Sequence, residues 1–174
     1  MRPALHVIAW PGPGRLATMG HPRGGGWLAD EMTGLAKAGV DVYVCALTPD
    51  ECRRLGLAGI GDAVTAAGID FLPFPIDDRG VPATDDDAVV IGVRLAAHLR
   101  AGRFVVTQCF AGIGRSTLLA VVTLAILGMG ADEAIRLVGE ARGLPVPDTE
   151  VQHRWLRAFV AEHGGRPGPL DARP

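Results

Sequence analysis

The sequence predicts a single α/β domain in which a central, mostly parallel β-sheet is flanked by helices. Short β-branched or apolar runs alternate with longer runs of helical spacing along the 174 residues, which is typical of this fold class. Gly and Pro separate many of these runs, and a hydrophobic content of 48% is enough for a full core. The length fits one domain, which we place at residues 1–163. Residues 164–174 are rich in Gly and Pro, and we expect them to form a flexible tail.

In the first half of the chain, the short β-branched runs and the apolar residues at helical spacing define seven elements. A Thr-Pro pair at 48–49 suits a helix start, with Thr48 as the N-cap and Pro49 as the first helical residue. Gly39 is expected to cap the first helix. We predict strands at 5–9, 15–18, 41–47 and 69–74, and helices at 27–38, from Pro49 onward, and at 58–67.

The second half is mainly helical. We predict helices at 86–99, 116–128, 131–141 and 149–163, a strand at 104–108, and a polar loop at 75–85. Parallel sheets of this kind bind ligands at the carboxyl ends of their strands. The residues directly after the 104–108 strand are therefore the first place to look for a site.

Composition limits the partners and the compartment. The net charge of −2 and a pI near 6.2 give no overall basic surface for nucleic acid or anionic lipid. The apolar stretch 118–129 is shorter than the roughly 20 residues that a membrane span needs, so we interpret it as a buried helix. The N-terminus has no cleavable signal pattern. Three cysteines without paired or metal-ligand spacing suit a reducing, cytoplasmic protein without a metal site.

The segment 107–117, TQCFAGIGRST, joins the last predicted strand to the most apolar helix. A helix start exposes unpaired N–H groups with a partial positive charge. Gly112 and Gly114 can adopt positive φ, which turns successive N–H groups inward as an anion-binding nest. Arg115 adds a fork of donors that matches two phosphate oxygens. The same field favours a thiolate at Cys109, so the loop predicts an anion site with a nucleophile beneath it.

This pattern indicates phosphoryl transfer through a cysteinyl-phosphate. Cys109 is the predicted nucleophile, and Ser116 is placed to stabilise its sulfur as the intermediate breaks down. The loop N–H groups of Phe110, Ala111, Gly112, Ile113, Gly114 and Arg115 are the predicted substrate-binding groups. The alternative is a buried structural cysteine in an ordinary tight turn. Arg115 argues against that alternative, because a cation at a helix start opposes the helix dipole unless it meets an anion.

The run from Cys109 to Ser116 resembles the Cys-x5-Arg-Ser/Thr phosphate loop of protein tyrosine and dual-specificity phosphatases. The resemblance covers roughly residues 27–160. The stretch PIDDRGVP at 75–82 is similar to the family's Asp-x-Gly-x-Pro loop, and PDTEVQ at 147–152 is similar to its Pro-x-Thr-x-x-Gln segment. The short length implies the compact dual-specificity type.

The resemblance implies that Asp78 is the general acid that protonates the leaving oxygen and then activates water. Asp77 is an alternative acid, and both can also be ordinary solvated turn residues. The resemblance also matches Gln152 to a residue that orients the attacking water, with an exposed helix position as its alternative. No metal or organic cofactor is expected, because the loop itself stabilises the charge.

Two positions depart from the family pattern. Gln108 stands where the family usually has His before the nucleophile. Its amide can donate hydrogen bonds to nearby carbonyls but carries no charge, so we expect a working loop with a less depressed thiol pKa. Asp148 stands where tyrosine-specific relatives have a Gln.

The predicted function is hydrolysis of a phosphomonoester on a protein or a small molecule. Phe110, Ala111 and Ile113 include no Lys, unlike lipid-directed relatives, which favours phosphoprotein substrates. Two alternatives remain: a catalytically weak phosphate-binding module, and a sulfurtransferase-like enzyme with a similar loop. The oligomeric state cannot be read from the sequence.

Overall fold

A computed structural model describes residues 4–165. One five-stranded sheet runs through it in the order β1-β2-β5-β3-β4, where the strands are His6–Val7 (β1), Arg15–Met19 (β2), Val42–Cys45 (β3), Asp70–Pro73 (β4) and Phe104–Gln108 (β5). β1 pairs antiparallel with β2, and the other three pairings are parallel. The predicted mostly parallel α/β sheet is confirmed.

In the described part of the chain, seven α-helices flank the sheet: Leu28–Lys37 (α1), Pro49–Arg54 (α2), Ile60–Ala66 (α3), Asp85–Arg100 (α4), Arg115–Ile126 (α5), Ala131–Arg142 (α6) and Glu150–His163 (α7). Two hydrophobic clusters occupy the two faces of the sheet. One contains residues of α4 to α7 and the other residues of α1 and α3. The sheet is therefore the middle of three layers.

β5 lies at the centre of the sheet, between β2 and β3. All five of its residues are buried, as its β-branched sequence predicts. All twelve residues of α5 are also buried, which confirms the interpretation of the apolar run as a core helix. Within residues 4–165 no helix is both long and apolar enough to cross a membrane.

The predicted element boundaries are close to those observed, with differences at helix ends. α5 begins one residue earlier than predicted, at Arg115, and ends at Ile126. α1 begins at Leu28 after a 3-10 turn, Gly25–Trp27, and Ala38 rather than Gly39 is its C-cap. Gly39 follows with a φ of 88°, so it still supplies the left-handed residue that ends the helix.

Two capping boxes fix the helix starts that matter for the site. Thr48 caps α2 and exchanges hydrogen bonds with Glu51, as does Thr149 with Gln152 at the start of α7. α7 ends at His163, and most of the predicted tail, residues 166–174, lies outside the described residues.

Candidate active site

The loop after β5 forms the floor of a pocket of about 250 Å³. Most of the predicted site residues line it, from three separate parts of the chain. The lining comprises Asp78, Arg79, Cys109, Phe110, Ala111, Ile113, Gly114, Arg115, Asp148 and Gln152. Gly112 and Ser116 are buried and are not part of this lining.

Every carbonyl from Cys109 to Gly114 accepts a hydrogen bond from a group that does not line the pocket. The first two carbonyls accept from the Gln108 side-chain amide (2.7 Å) and from the His21 N–H (3.0 Å). Arg142 donates to the next two, at 3.3 and 3.1 Å. Thr117 Oγ1 (2.6 Å) and the Leu118 N–H (3.1 Å) bind the last two.

The N–H groups of the same loop therefore point the other way. In a trans peptide the carbonyl and the following N–H point in opposite directions, so outward carbonyls turn the N–H groups of residues 110–115 toward the pocket. Within residues 4–165 the N–H groups of 110–114 have no hydrogen-bond partner. The arrangement is an anion nest at the start of a helix.

The two loop glycines face different constraints. Gly112 has a φ of 70°, and a Cβ there would lie 2.7 Å from the Gly20 nitrogen. Gly114 has a φ of −89°, so the expectation of a positive φ at this position is wrong. A Cβ at Gly114 would instead lie 2.9 Å from Gln152 Oε1, so a side chain there would push the Gln152 amide from its place.

Cys109 is buried at the base of the nest, and its Sγ donates to Ser116 Oγ at 3.3 Å. Thr107 Oγ1 in turn donates to the Ser116 carbonyl at 2.9 Å and ties the end of β5 to the first turn of α5. The predicted contact between Ser116 and Cys109 is present.

Gln108 is fully buried, and its Nε2 donates to the Cys109 carbonyl, as expected for an amide at this position. Its Oε1 has no hydrogen-bond partner within residues 4–165. The side chain thus orients the loop through one neutral hydrogen bond and brings no charge to the thiol.

Arg115 is buried, and most of its donors bind the protein. Nη1 and Nη2 donate to the two carboxylate oxygens of Glu51 at 2.7 and 2.8 Å. Nη1 also donates to the Ile76 carbonyl at 2.9 Å, and Nη2 to Asp78 Oδ1 at 3.2 Å. The anions that permit an arginine at this helix start are therefore Glu51 and Asp78. The contact with Asp78 is the longest of these, so an arriving anion can replace it most easily.

The Glu51 carboxylate is 9% exposed. Burial raises its pKa, but hydrogen bonds from Arg115 and Thr48 outweigh that effect and lower the pKa to about 2. For Arg115, burial lowers the pKa, and the bonds to Glu51 more than compensate, so the net shift is upward. Both groups stay charged, and Glu51 holds the guanidinium in place.

Glu51 and Arg142 are the two residues that the sequence reasoning missed. The Thr48-x-x-Glu51 spacing is a sequence signature of a capping box, and it could have drawn attention to Glu51. Nothing in the sequence connects Arg142, at the end of α6, with loop carbonyls thirty residues away. Its contact arises only from the packing of α6 beside the loop.

Asp78 lines the pocket, whereas Asp77 does not. The Asp77 carbonyl accepts from the Gly80 N–H at 2.9 Å and closes a turn. Arg79 has a φ of 59° and pairs with Asp148 at 3.2 Å. This ion pair joins the loop at 75–85 to the segment that precedes α7.

Gln152 is buried, so the alternative that it is an exposed helix residue is wrong. Its Oε1 accepts from the Thr149 N–H at 3.2 Å, and its Nε2 donates to the Gly80 carbonyl at 2.9 Å. The side chain therefore connects the start of α7 to the loop at 75–85 and packs against Gly114.

Within the described residues, one group of His and carboxylate side chains is close enough to offer three metal ligands: Asp85, Glu162 and His163. These residues lie at the start of α4 and the end of α7, and none of them lines the pocket. The carboxylates that do line the pocket, Asp78 and Asp148, each pair with an arginine.

No protein-family model and no curated protein matches the sequence. Solved structures do match it. A kinase-associated phosphatase, with its catalytic cysteine replaced by serine, is 18% identical with a TM-score of 0.83, and the match covers 96% of this chain and 99% of that one. The active form of Tk-PTP is 25% identical with a TM-score of 0.71, covering 87% and 98%.

The chain has the fold of the protein tyrosine and dual-specificity phosphatases. A third phosphatase-fold neighbour is PTPMT1, solved in complex with PI(5)P, at 21% identity and a TM-score of 0.68 over 84% of this chain and 90% of that one. The resemblance seen in the three sequence motifs is thus confirmed at the level of the fold. In this phosphatase fold the Cys109 loop connects the central strand to the buried helix.

Proposed function

We propose that the protein is a phosphomonoester hydrolase of the tyrosine or dual-specificity phosphatase type that acts through a phosphorylated Cys109. The observation that carries the proposal is that every carbonyl from Cys109 to Gly114 is held away from the pocket, which turns the loop N–H groups into a ring facing the pocket that Cys109 and Arg115 line. Such a ring binds the three non-bridging oxygens of a phosphoryl group and stabilises their charge in the transition state. The phosphatase neighbours support hydrolase activity in general.

In the first step Cys109 Sγ, as the thiolate, attacks phosphorus. The S–P bond forms as the P–O bond to the leaving group breaks. The phosphoryl oxygens displace Asp78 from Arg115 Nη2, because a dianion competes better for that donor than a carboxylate that is 72% exposed. Asp78, released and protonated, gives its proton to the leaving oxygen.

In the second step Asp78 takes a proton from water as the water oxygen attacks phosphorus. The P–O bond forms, the S–P bond breaks, and Ser116 Oγ donates a hydrogen bond to the departing sulfur. Gln152 holds the loop that carries Asp78 through its bond to the Gly80 carbonyl in both steps. We assign it a positioning role, because both ends of its amide already bind backbone groups.

Phosphoproteins are the substrate class we propose. The loop side chains at 110, 111 and 113 include no cation, which a polyphosphorylated headgroup would need. We also propose a reducing compartment such as the cytoplasm, which three unpaired cysteines suit.

Hydrolysis of para-nitrophenyl phosphate from pH 5 to 8, in the presence of a chelator, tests the proposal. Wild type should turn over, Cys109→Ser should not, and Asp78→Asn should lose the acid-side optimum. Asp77→Asn is the matched control and should behave as wild type, because Asp77 does not line the pocket.

Trapping separates this mechanism from the two alternatives. An acid-quenched reaction should contain phosphorylated Cys109, seen by mass spectrometry. Phosphate binding without turnover or trapped phosphocysteine would favour the binding module. Sulfur transfer from thiosulfate to Cys109 would favour the sulfurtransferase.

A further inference from the structure

A second depression of about 360 Å³ adjoins the catalytic pocket. Its lining is Glu51, Arg54, Leu55, Asp78 and Phe110. Asp78 and Phe110 also line the catalytic pocket, so the two spaces share one wall. The Phe110 side chain is 50% exposed and stands on this wall. A chemical group close to the scissile phosphate would therefore lie against Phe110, in the second depression.

Arg54 places a free cation in this depression. Three other arginines pair with carboxylates: Arg53 with Asp50, Arg79 with Asp148, and Arg23 with Glu31. Arg54 is exposed at the end of α2, and within residues 4–165 it makes no ion pair.

The two carboxylates of the same depression do not cancel this charge. Both oxygens of Glu51 accept hydrogen bonds from Arg115, which neutralises it. Asp78 is protonated when it serves as the acid of the first step and is then neutral. In the reacting complex Arg54 thus sets the sign of the depression, and that sign is positive.

We propose that this depression is a substrate subsite in which Arg54 binds an acidic side chain next to the phosphorylated residue of a peptide. The proposal rests on the proposed function and adds the sequence preference of its substrate. A single carboxylate matches the single free cation, and its methylene stem would pack on Leu55 and Phe110. A headgroup with several phosphates would need several cations, and the lining of this depression has one.

The test compares two phosphotyrosine peptides that differ only in having Glu or Gln beside the phosphorylated residue. The quantity measured is the Glu-to-Gln ratio of kcat/KM within each variant, which cancels any general change in activity. An exposed ion pair contributes about 0.2–1 kcal/mol, so wild type should prefer the Glu peptide by up to about fivefold. Arg54→Gln should bring the ratio to about one, mainly through KM.

Arg53→Gln is the matched control. Arg53 is the neighbouring residue on α2, but it pairs with Asp50 and does not line the depression. This variant should keep the wild-type ratio. The wild-type ratio should also fall as salt increases, because the attraction is between exposed charges.

The outcomes separate this proposal from the proposed function. Hydrolysis with a wild-type ratio near one, or a ratio unchanged in Arg54→Gln, overturns the subsite and leaves the phosphatase activity standing. If hydrolysis of soluble PI(5)P falls more in Arg54→Gln than hydrolysis of the Glu peptide does, the peptide subsite is overturned in favour of a lipid headgroup. If wild type hydrolyses nothing, the proposed function fails, and binding of the two peptides to Cys109→Ser still measures the preference.

Discussion

Replacing Glu51 with Gln should destabilise the protein and disorganise Arg115 at the same time. The Glu51 pKa falls from 4.5 to about 2 on folding. At 1.36 kcal/mol per unit, this shift corresponds to about 3 kcal/mol of stability at neutral pH. The figure agrees with the 3–5 kcal/mol that is lost when one partner of a buried ion pair is removed. Gln offers Arg115 one acceptor oxygen where Glu offers two.

The lowered pKa of Glu51 determines how the stability difference between wild type and Glu51→Gln changes with pH. A depressed carboxyl pKa stabilises the folded state above the unfolded pKa of 4.5, and the effect is lost as pH falls through about 2. The difference between wild type and Glu51→Gln should therefore be about 3 kcal/mol at pH 7 and about half of that at pH 3. Urea unfolding followed by tryptophan fluorescence at the two pH values measures it.

Thr48→Ala is the control that separates capping from the ion pair. It removes the cap of α2, worth about 1 kcal/mol, and leaves the bonds between Glu51 and Arg115 in place. Glu51→Gln should also raise the inhibition constant of vanadate, and Thr48→Ala should not. Equal unfolding free energies for the two variants at both pH values would refute the assigned role of Glu51.

Three further predictions concern the loop and the buried thiol. Gly112→Ala should lower the free energy of urea unfolding by about 2 kcal/mol and abolish turnover, because φ is 70° and a Cβ would meet the Gly20 nitrogen at 2.7 Å. A variant as stable as wild type would contradict this. Arg142→Gln should weaken vanadate inhibition about fivefold by freeing two loop carbonyls, equivalent to ~1 kcal/mol, and an unchanged constant would count against the outward-carbonyl explanation. Burial raises the pKa of Cys45 to about 12, so iodoacetamide should leave Cys45 unmodified at pH 8 by mass spectrometry, and rapid labelling in the folded protein would contradict that burial.

The sequence was sufficient for the features that depend on local pattern. Alternating β-branched and helical runs predicted the sheet and helices, and the spacing from Cys109 to Ser116 predicted a loop at the end of the central strand. These features depend on residues close together in the chain, so periodicity and turn chemistry are enough to predict them.

Contacts between distant elements could not be predicted in the same way. Glu51 reaches Arg115 across 64 positions, and Gln152 reaches Gly80 across 72. The fork of Arg115 suggested phosphate from its chemistry alone, but in the folded chain most of its donors already serve Glu51 and Ile76. Only tertiary packing decides which anion an arginine meets first.

Because the loop carbonyls point outward, residues outside the pocket can influence how strongly the loop binds an anion. The groups that hold them come from the loop after β2, from β5, from α5 and from α6, and none of them would touch a bound phosphate. Evolution can therefore retune anion affinity at a distance while every residue in the pocket stays the same. Two relatives with identical pockets need not be equally active, and a comparison confined to pocket residues would not detect the difference.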